Sequence, residues 1–306
     1  MLMQSIKSAV APLLTETVRQ RLSYYRRRVV FRKQFGRLPK AKLRTFRCNI
    51  CGLMTTYPRD KMSREIWSCV YCGSNVRWRS IIHALSTELF GHSMALPDFP
   101  SLPEIKGIGL SDWEGYARPL ARKLGYTNTF YHKAPLLDIT SIEQAEREVY
   151  DFIISSDVFE HISQPISRAF ENACRLLKPG GFMIFTVPYI AGETKEHFPE
   201  LTTFTIGKAA EDWVLTGKTC DGRNREFTGL TFHGGPGTTV EFRLFGTDSL
   251  SLECARAGFD PVRIHDETVE EFGIYWNAYN PEQAPYRPLI FGLDTPPWTL
   301  VKGTDP

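Results

Sequence analysis

The sequence predicts an α/β protein: a doubly wound sheet of alternating strands and helices, with a small cysteine-rich unit ahead of it. Apolar runs at 104–110, 127–132, 151–156 and 182–187 alternate with segments of helical periodicity, the pattern of a parallel sheet covered on both faces. Four of the seven cysteines fall into two Cys-x-x-Cys pairs. A length of 306 residues, 42% of them hydrophobic, suffices for one full core and one small accessory module.

Residues 1–47 read as a basic amphipathic arm. They hold thirteen Lys or Arg and one acid, Glu16, whereas residues 48–306 hold 24 basic and 33 acidic residues. Ile6, Val10, Leu13, Leu14, Val18, Leu22 and Tyr25 recur at helical spacing, with Arg26, Arg27, Arg28, Arg32 and Lys33 behind them. Such a segment suits peripheral contact with an anionic membrane surface. The alternative is a solvated helix folded back onto the acidic body, and nucleic acid is the less favoured partner. Pro12 would kink or delay the helix. Pro12, Glu16 and the arginines also break any secretory signal, and no apolar run approaches the ~18 residues of a membrane span. The cysteine usage fits a reducing compartment, so the expected location is cytoplasmic, at most peripheral to a membrane.

Residues 48–79 form the second unit. Cys48, Cys51, Cys69 and Cys72 are spaced C-x2-C-x17-C-x2-C. Two thiolates on one tight turn occupy adjacent corners of a tetrahedron, and the second pair supplies the other two. Gly52 and Gly73 follow the pairs and allow each backbone to turn. The spacing predicts a structural zinc ribbon, closed to substrate. It is similar to the rubredoxin-like ribbons that precede several methyltransferase domains.

In residues 80–306, Ile81, Ile82, Leu85 and Leu89 suggest a lead-in helix, ended by Pro97, Pro100 and Pro103. A strand at 104–110 follows, then a helix with Trp113, Tyr116, Ala117, Leu120, Ala121 and Leu124 on one face. Strands are expected at 127–132 and 151–156, a helix from Pro165 to Gly180-Gly181, and a strand at 182–187. The span between the first strand and the one at 151–156 is short, so one helix–strand unit is expected to be missing or degenerate.

Residues 150–189, YDFIISSDVFEHISQPISRAFENACRLLKPGGFMIFTVPY, resemble the second half of a type-11 class I S-adenosylmethionine (SAM)-dependent methyltransferase. The shared pattern is a buried strand, an acidic turn ending Glu-His, a helix closing on Leu-Lys-Pro-Gly-Gly, and a strand ending in proline. Leu250–Ile264 repeats another habit of the family, a helix ending at Ala-Gly-Phe before a late strand. The resemblance implies a Rossmann-like methyltransferase sheet with SAM beside a glycine-rich turn. Gly107, Gly109, Ser111 and Asp112 are the expected turn, and Ser156 ends the next central strand. The acid that grips the ribose at the end of the second strand has no counterpart; Asp138 is the nearest carboxylate, for ribose or adenine amine, or else as a helix N-cap.

A hydroxyl acceptor needs a base, and ligands of such sheets bind beyond the carboxyl ends of the strands. Asp157, Glu160 and His161 lie there, with His161 the expected base. Asp157-Val-Phe-Glu160-His161 also resembles the Glu-x-x-Glu-His element by which small-RNA 2′-O-methyltransferases and ubiquinone-pathway O-methyltransferases hold a divalent ion. That resemblance implies a second metal such as Mg2+ on Asp157, Glu160 and His161, with His197 as the nearest further ligand; the alternative is a metal-free turn. Residues 190–241 form an insertion, carrying His197, Trp213, Asp221, Arg223, Arg225, His233 and Gly234–Gly237, that is placed to cover and select the acceptor. The expected activity is SAM-dependent methylation of a hydroxyl on a glycan, glycolipid precursor or polar metabolite. The alternatives are an RNA methyltransferase that uses ribbon and arm for binding, and a catalytically silent adaptor.

Overall fold

The computed structural model describes residues 16–142, 147–199, 201–209, 212–233, 237, 239–276 and 294–304. Ile6, Val10, Pro12, Leu13 and Leu14 of the arm, and Gly234 and Gly235 of the insertion, lie outside them. Helix α1 (Glu16–Phe35) opens the described chain. It folds back, but onto the ribbon and by a face other than the expected stripe. Tyr24 stacks on Tyr71 with ring centroids 5.4 Å apart, and Phe31 and Phe35 pack against Tyr57. Arg27, one turn along, donates from Nε to the Val70 carbonyl at 3.0 Å and from Nη2 to the Tyr71 carbonyl. Val18, Leu22, Tyr25 and Val29 stay exposed. Aromatic rings carry more contact area than the aliphatic stripe and decide which face is covered.

The ribbon is an antiparallel hairpin of β1 (Leu43–Arg47) and β2 (Met54–Pro58), with one Cys-x-x-Cys turn at its tip. Helix α2 (Val76–Phe90) follows, N-capped by Asn75, whose side chain accepts from the Trp78 amide at 2.9 Å. Cys48, Ile50 and Cys69 share one core with Ile81, Ile82 and Leu85 of α2 and with Phe152, Ile154 and Ile184 of the main sheet. The ribbon is therefore welded to one face of the sheet.

That sheet contains β3 (Leu102–Leu110), β4 (Leu124–Thr129), β5 (Tyr150–Ser156) and β6 (Leu177–Thr186), with helix α3 (Glu114–Ala121) between β3 and β4 and α4 (Ser167–Leu176) between β5 and β6. Further along come β7 (Tyr189–Ile190) and β8 (Lys195–Glu196), then β9 (Leu201–Ala209), β10 (Asp212–Thr219) and β11 (Asn224–Phe227). After these are β12 (Phe232–His233), β13 (Thr239–Val240), β14 (Arg243–Gly246), α5 (Thr247–Arg256), β15 (Phe259–Ile264) and β16 (Trp298–Lys302). The six-stranded order is β15-β16-β6-β5-β3-β4; β4, β3, β5 and β6 run parallel, and β16 is antiparallel to both its neighbours. Alternation sends Phe152 and Ile154 toward α2 and α3, while Ile153, Met183 and Phe185 meet Phe170, Leu176 and Leu250 on the other face.

Three boundaries differ from expectation. Helix α3 ends at Ala121, and Leu124 opens β4 instead of extending the helical face. The second strand accordingly covers 124–129 and stops before His132. Helix α4 ends at Leu176, well before Gly180-Gly181, because Pro179 biases Lys178 to extended backbone, and the glycines fall inside β6. The shortened first half is observed: among the described residues, the connection from β4 to β5 contains no helix and no further sheet strand. The insertion is a flap, a meander ordered β11-β10-β9 plus the β12–β13 hairpin, with its own core of Phe198, Leu201, Leu215, Val240 and Phe242. Among the described residues, no helix is long and apolar enough to cross a membrane.

Candidate active site

The four ribbon sulfurs form a closed cluster. Cys48 Sγ lies 3.7 Å from Cys72 Sγ, and Cys51 Sγ lies 3.7 Å from Cys69 Sγ. A tetrahedral ion with sulfurs at about 2.3 Å spaces them about 3.8 Å apart, so the cage fits zinc, and the separations are far too long for disulfides. Gly52 and Gly73 adopt φ of +76° and +86°, the left-handed turns expected after each pair. The ribbon also reaches the main cavity. Arg64, between the two pairs, and Arg77, just after them, point at the carboxyl end of β5.

That end opens into a cavity of about 890 Å³, bordered by Ser111, Asp138, Ser156, Asp157 and His161. Gly107 and Gly109 do not border it: they lie within β3. A Cβ on Gly107 would come within 2.2 Å of the Phe152 ring, and one on Gly109 within 1.9 Å of Tyr126 Oη. The glycines make room for side chains of the neighbouring strands. The turn itself comes later, at Ser111, with φ of +60°. Asp112 also faces inward, accepting from Tyr126 Oη at 2.5 Å, and burial pushes its carboxyl up to about 7. Asp138 borders the cavity, but its Oδ1 closes a local turn by accepting from the Thr140 amide at 2.9 Å and the Thr140 hydroxyl at 2.7 Å. Trp78 and Trp113 stack with centroids 4.0 Å apart, and both border the cavity.

Asp157 sits at the end of β5 with φ of +54°, a strained conformation for a non-glycine residue. Its carboxylate is held by Arg64, with Nη1 2.8 Å from Oδ2, and by Arg77 at 3.1 Å. Burial alone would raise its pKa, but the two guanidiniums outweigh it and hold the carboxyl well below the usual range. Asp157 is thereby committed to arginine and does not join the Glu160–His161 pair. His197, unlike Asp157, is outside the cavity lining, its Nε2 3.0 Å from Glu241 Oε1.

His161 Nδ1 lies 2.8 Å from the Val240 carbonyl, which fixes the proton there and leaves the Nε2 lone pair available. Burial lowers its pKa to about 4, so the ring is neutral at physiological pH. Glu160 is wholly buried, and burial followed by the charge of Asp157 pushes its pKa well up. Opposite stands His233, from the flap, with Nε2 2.9 Å from Glu241 Oε2. Burial would raise Glu241, but the bonds from His197 and His233 prevail and hold it at about 2. Of the other insertion residues singled out above, Trp213 packs on Phe232 and Asp221 pairs with Arg223, both away from the cavity. Arg64, Arg77 and Glu241 are site residues that sequence spacing did not indicate, and His233 was visible only as one polar residue of the insertion.

A strand–turn–helix sheet with its cavity at the carboxyl edge agrees with the family match. Residues 105–264, just over half of the chain, match the model of a methyltransferase domain. The chain belongs to the methyltransferase domain family. It is a SAM-dependent methyltransferase. No curated protein matches the chain. Among solved structures, the sugar N-methyltransferase KedS8 of Streptoalloteichus is 9% identical over 74% of this chain and 86% of its own, with a TM-score of 0.38. The amino pentose methyltransferase CalS10 of Micromonospora echinaspora, solved with SAM bound, is 10% identical over 75% and 92%, with a TM-score of 0.37. A sarcosine dimethylglycine methyltransferase of Galdieria sulphuraria reaches 25% identity over 40% and 47%, with a TM-score of 0.27.

Proposed function

We propose that the methyltransferase moves the methyl group of SAM to a hydroxyl of a polar small molecule or glycan unit. The observation that carries this is His161: a neutral imidazole, its Nε2 lone pair available, on the wall of a cavity that has room for two ligands. A volume of about 890 Å³ lies toward the upper end of ligand pockets, roughly 300–1,000 Å³. The side near Ser111, Trp113 and Asp138 is assigned to SAM, with Asp138 facing the ribose or adenine amine. SAM supplies an electrophilic methyl group when bound. The flap side, with Phe204, Phe232 and His233, is assigned to the acceptor. His161 takes the hydroxyl proton as oxygen attacks, and the walls hold the two reactants in line. Ser156 and Asp157, fixed by Arg77 and Arg64, keep the floor of the cavity in register.

The test is transfer from methyl-labelled SAM to fractionated glycans, polar lipids, small polyols and RNA. Labelled product is expected among the hydroxyl compounds, with kcat reduced about 10²–10⁴-fold in His161→Ala and SAM affinity kept. Label in RNA alone, with binding that weakens steeply as salt rises, overturns this reading in favour of the RNA enzyme. Failure of the parent protein to bind SAM favours the adaptor.

A further inference from the structure

The junction between helix α2 and the β15–β16 edge of the sheet holds a second group of histidine and carboxylate side chains, His83, His265 and Glu267, none of which borders the cavity. His83 lies on α2 and His265 directly follows β15, and each is only 7% exposed. Their rings meet edge to face with centroids 5.8 Å apart. Both sit on fixed backbone: His83 within the helix, and His265 through its amide, which donates to the Pro297 carbonyl at 2.9 Å.

One ring nitrogen of each imidazole is set against a hydroxyl. His83 Nδ1 lies 2.7 Å from Ser93 Oγ, and His265 Nε2 lies 2.7 Å from Thr299 Oγ1. The remaining nitrogens converge on one oxygen, Glu267 Oε1, at 2.6 Å from His83 Nε2 and 3.7 Å from His265 Nδ1. Among the described residues these two imidazoles are the only ion-pair partners of Glu267, whose side chain is 49% exposed. Glu88, 3.9 Å from His265 Nε2, is taken by Arg263.

A hydrogen bond accounts for the His83–Glu267 contact alone. It does not account for a second buried imidazole that aims Nδ1 at the same oxygen from beyond hydrogen-bond reach. An ion held by nitrogen and oxygen at about 2.0–2.2 Å spaces its ligands about 3.0–3.5 Å apart, between the two separations observed. Glu267, half exposed, is the member with room to adjust. A hydroxyl behind each imidazole fixes its tautomer and orientation, as the outer partners of metal-bound histidines do. We infer that His83, His265 and Glu267 form a site for a divalent transition ion, with Ser93 and Thr299 behind the two imidazoles.

Two nitrogens and one oxygen suit Zn2+ and its borderline relatives better than Mg2+ or Ca2+, which take oxygen. The exposed side of Glu267 leaves a fourth position to water. One ligand comes from α2 and two from the segment after β15, so the ion acts as a clamp between elements distant in sequence. The Glu88–Arg263 pair bridges the same two elements. Helix α2 also carries Arg77 and Trp78, which border the cavity, so the clamp holds the helix that shapes that wall. No step of the methyl transfer runs through this ion.

The experiment titrates full-length protein, its ribbon zinc in place, with Co2+. The expected result is one Co2+ per chain with weak d–d absorption and no thiolate charge-transfer band, lost in both His265→Gln and Glu267→Gln. Glu267→Gln alters a half-exposed side chain, so an unchanged ribbon zinc content and metal-free unfolding midpoint separate ligand loss from misfolding. Ser93→Ala, behind the inner set, is expected to weaken Co2+ binding about 10–100-fold. Added Zn2+ should raise the unfolding midpoint of the parent and leave that of Glu267→Gln in place. No Co2+ taken up by the parent, or equal uptake in Glu267→Gln, overturns the site and leaves a hydrogen-bonded histidine–glutamate pair. A parent midpoint indifferent to Zn2+ overturns the clamp.

Discussion

The ribbon and the histidine–carboxylate cluster of the cavity bring side chains together by opposite routes. In the ribbon, four ligands come from two tight turns within 25 residues, and each turn fixes its own pair before any long-range contact forms. In the cluster, Glu160 and His161 follow β5, His233 and Val240 come from the β12–β13 hairpin, and Glu241 follows it. No local rule joins them; the flap must first dock on the carboxyl edge of the sheet. The Phe242 amide, donating to the Glu160 carbonyl at 2.7 Å, and Arg243, donating to the Phe159 carbonyl at 2.9 Å, make that connection. Local partners can be read from spacing, whereas distant ones depend on the fold.

The largest effect should come from breaking the ribbon. Structural zinc contributes about 10–16 kcal/mol of binding free energy in isolated finger peptides, so Cys72→Ser is expected to release zinc and unfold residues 48–73. Because Cys48 and Cys69 share a core with α2, and Arg64 and Arg77 reach into the cavity, SAM affinity should fall as well. Elemental analysis and calorimetric SAM titration check this. Zinc loss with unchanged SAM affinity would show the two regions to be independent.

A smaller effect is expected at the ion pair that links them. Arg64→Met leaves the buried Asp157 with Arg77 as its one remaining guanidinium, at a cost of up to about 3–5 kcal/mol. Adding Asp157→Asn to that variant should recover much of the loss, since the stranded charge is then gone. Urea denaturation of the two single variants and the double variant measures the coupling; simple additivity would contradict it.

The smallest effect concerns Asp112. Its folded pKa of about 7 lies above the ordinary 3.8, so the folded state keeps a proton that the unfolded chain releases. Its contribution is full below the unfolded pKa and is lost as pH rises toward the folded one. Asp112→Asn is therefore expected to flatten the fall in stability between about pH 4 and pH 7, seen as denaturation midpoints at stepped pH. An unchanged slope would mean that Asp112 is not the proton holder.

Much of the fold was legible because periodicity and turn residues act locally. Five of the six sheet strands appeared within a few residues of their expected places, the late helix and strand of Leu250–Ile264 falling where Ala-Gly-Phe put them, whereas β16 (Trp298–Lys302) was not expected. The glycine motif misled for a physical reason. A Gly-x-Gly that frees space beside Tyr126 and Phe152 reads the same as one that frees space beside a ligand, and only the register of β3 against β4 and β5 separates the two. Asp157 was expected to face the chemistry, but Arg64 and Arg77 take it, and nothing in their spacing ties them to β5. The arm showed the same limit: its aliphatic stripe was visible, yet Tyr24, Phe31 and Phe35 form the packed face.

The most direct test of the central claim, that this cavity methylates a hydroxyl, is the position of the label on the product. Carbon-13 methyl-labelled SAM is turned over by the parent protein and by His161→Ala, and the product is read by NMR. The account predicts an O-methyl resonance from the parent and a loss of about 10²–10⁴-fold in its rate of appearance in the variant, with SAM affinity unchanged. An N-methyl or C-methyl resonance, or equal rates in the two proteins, would contradict it.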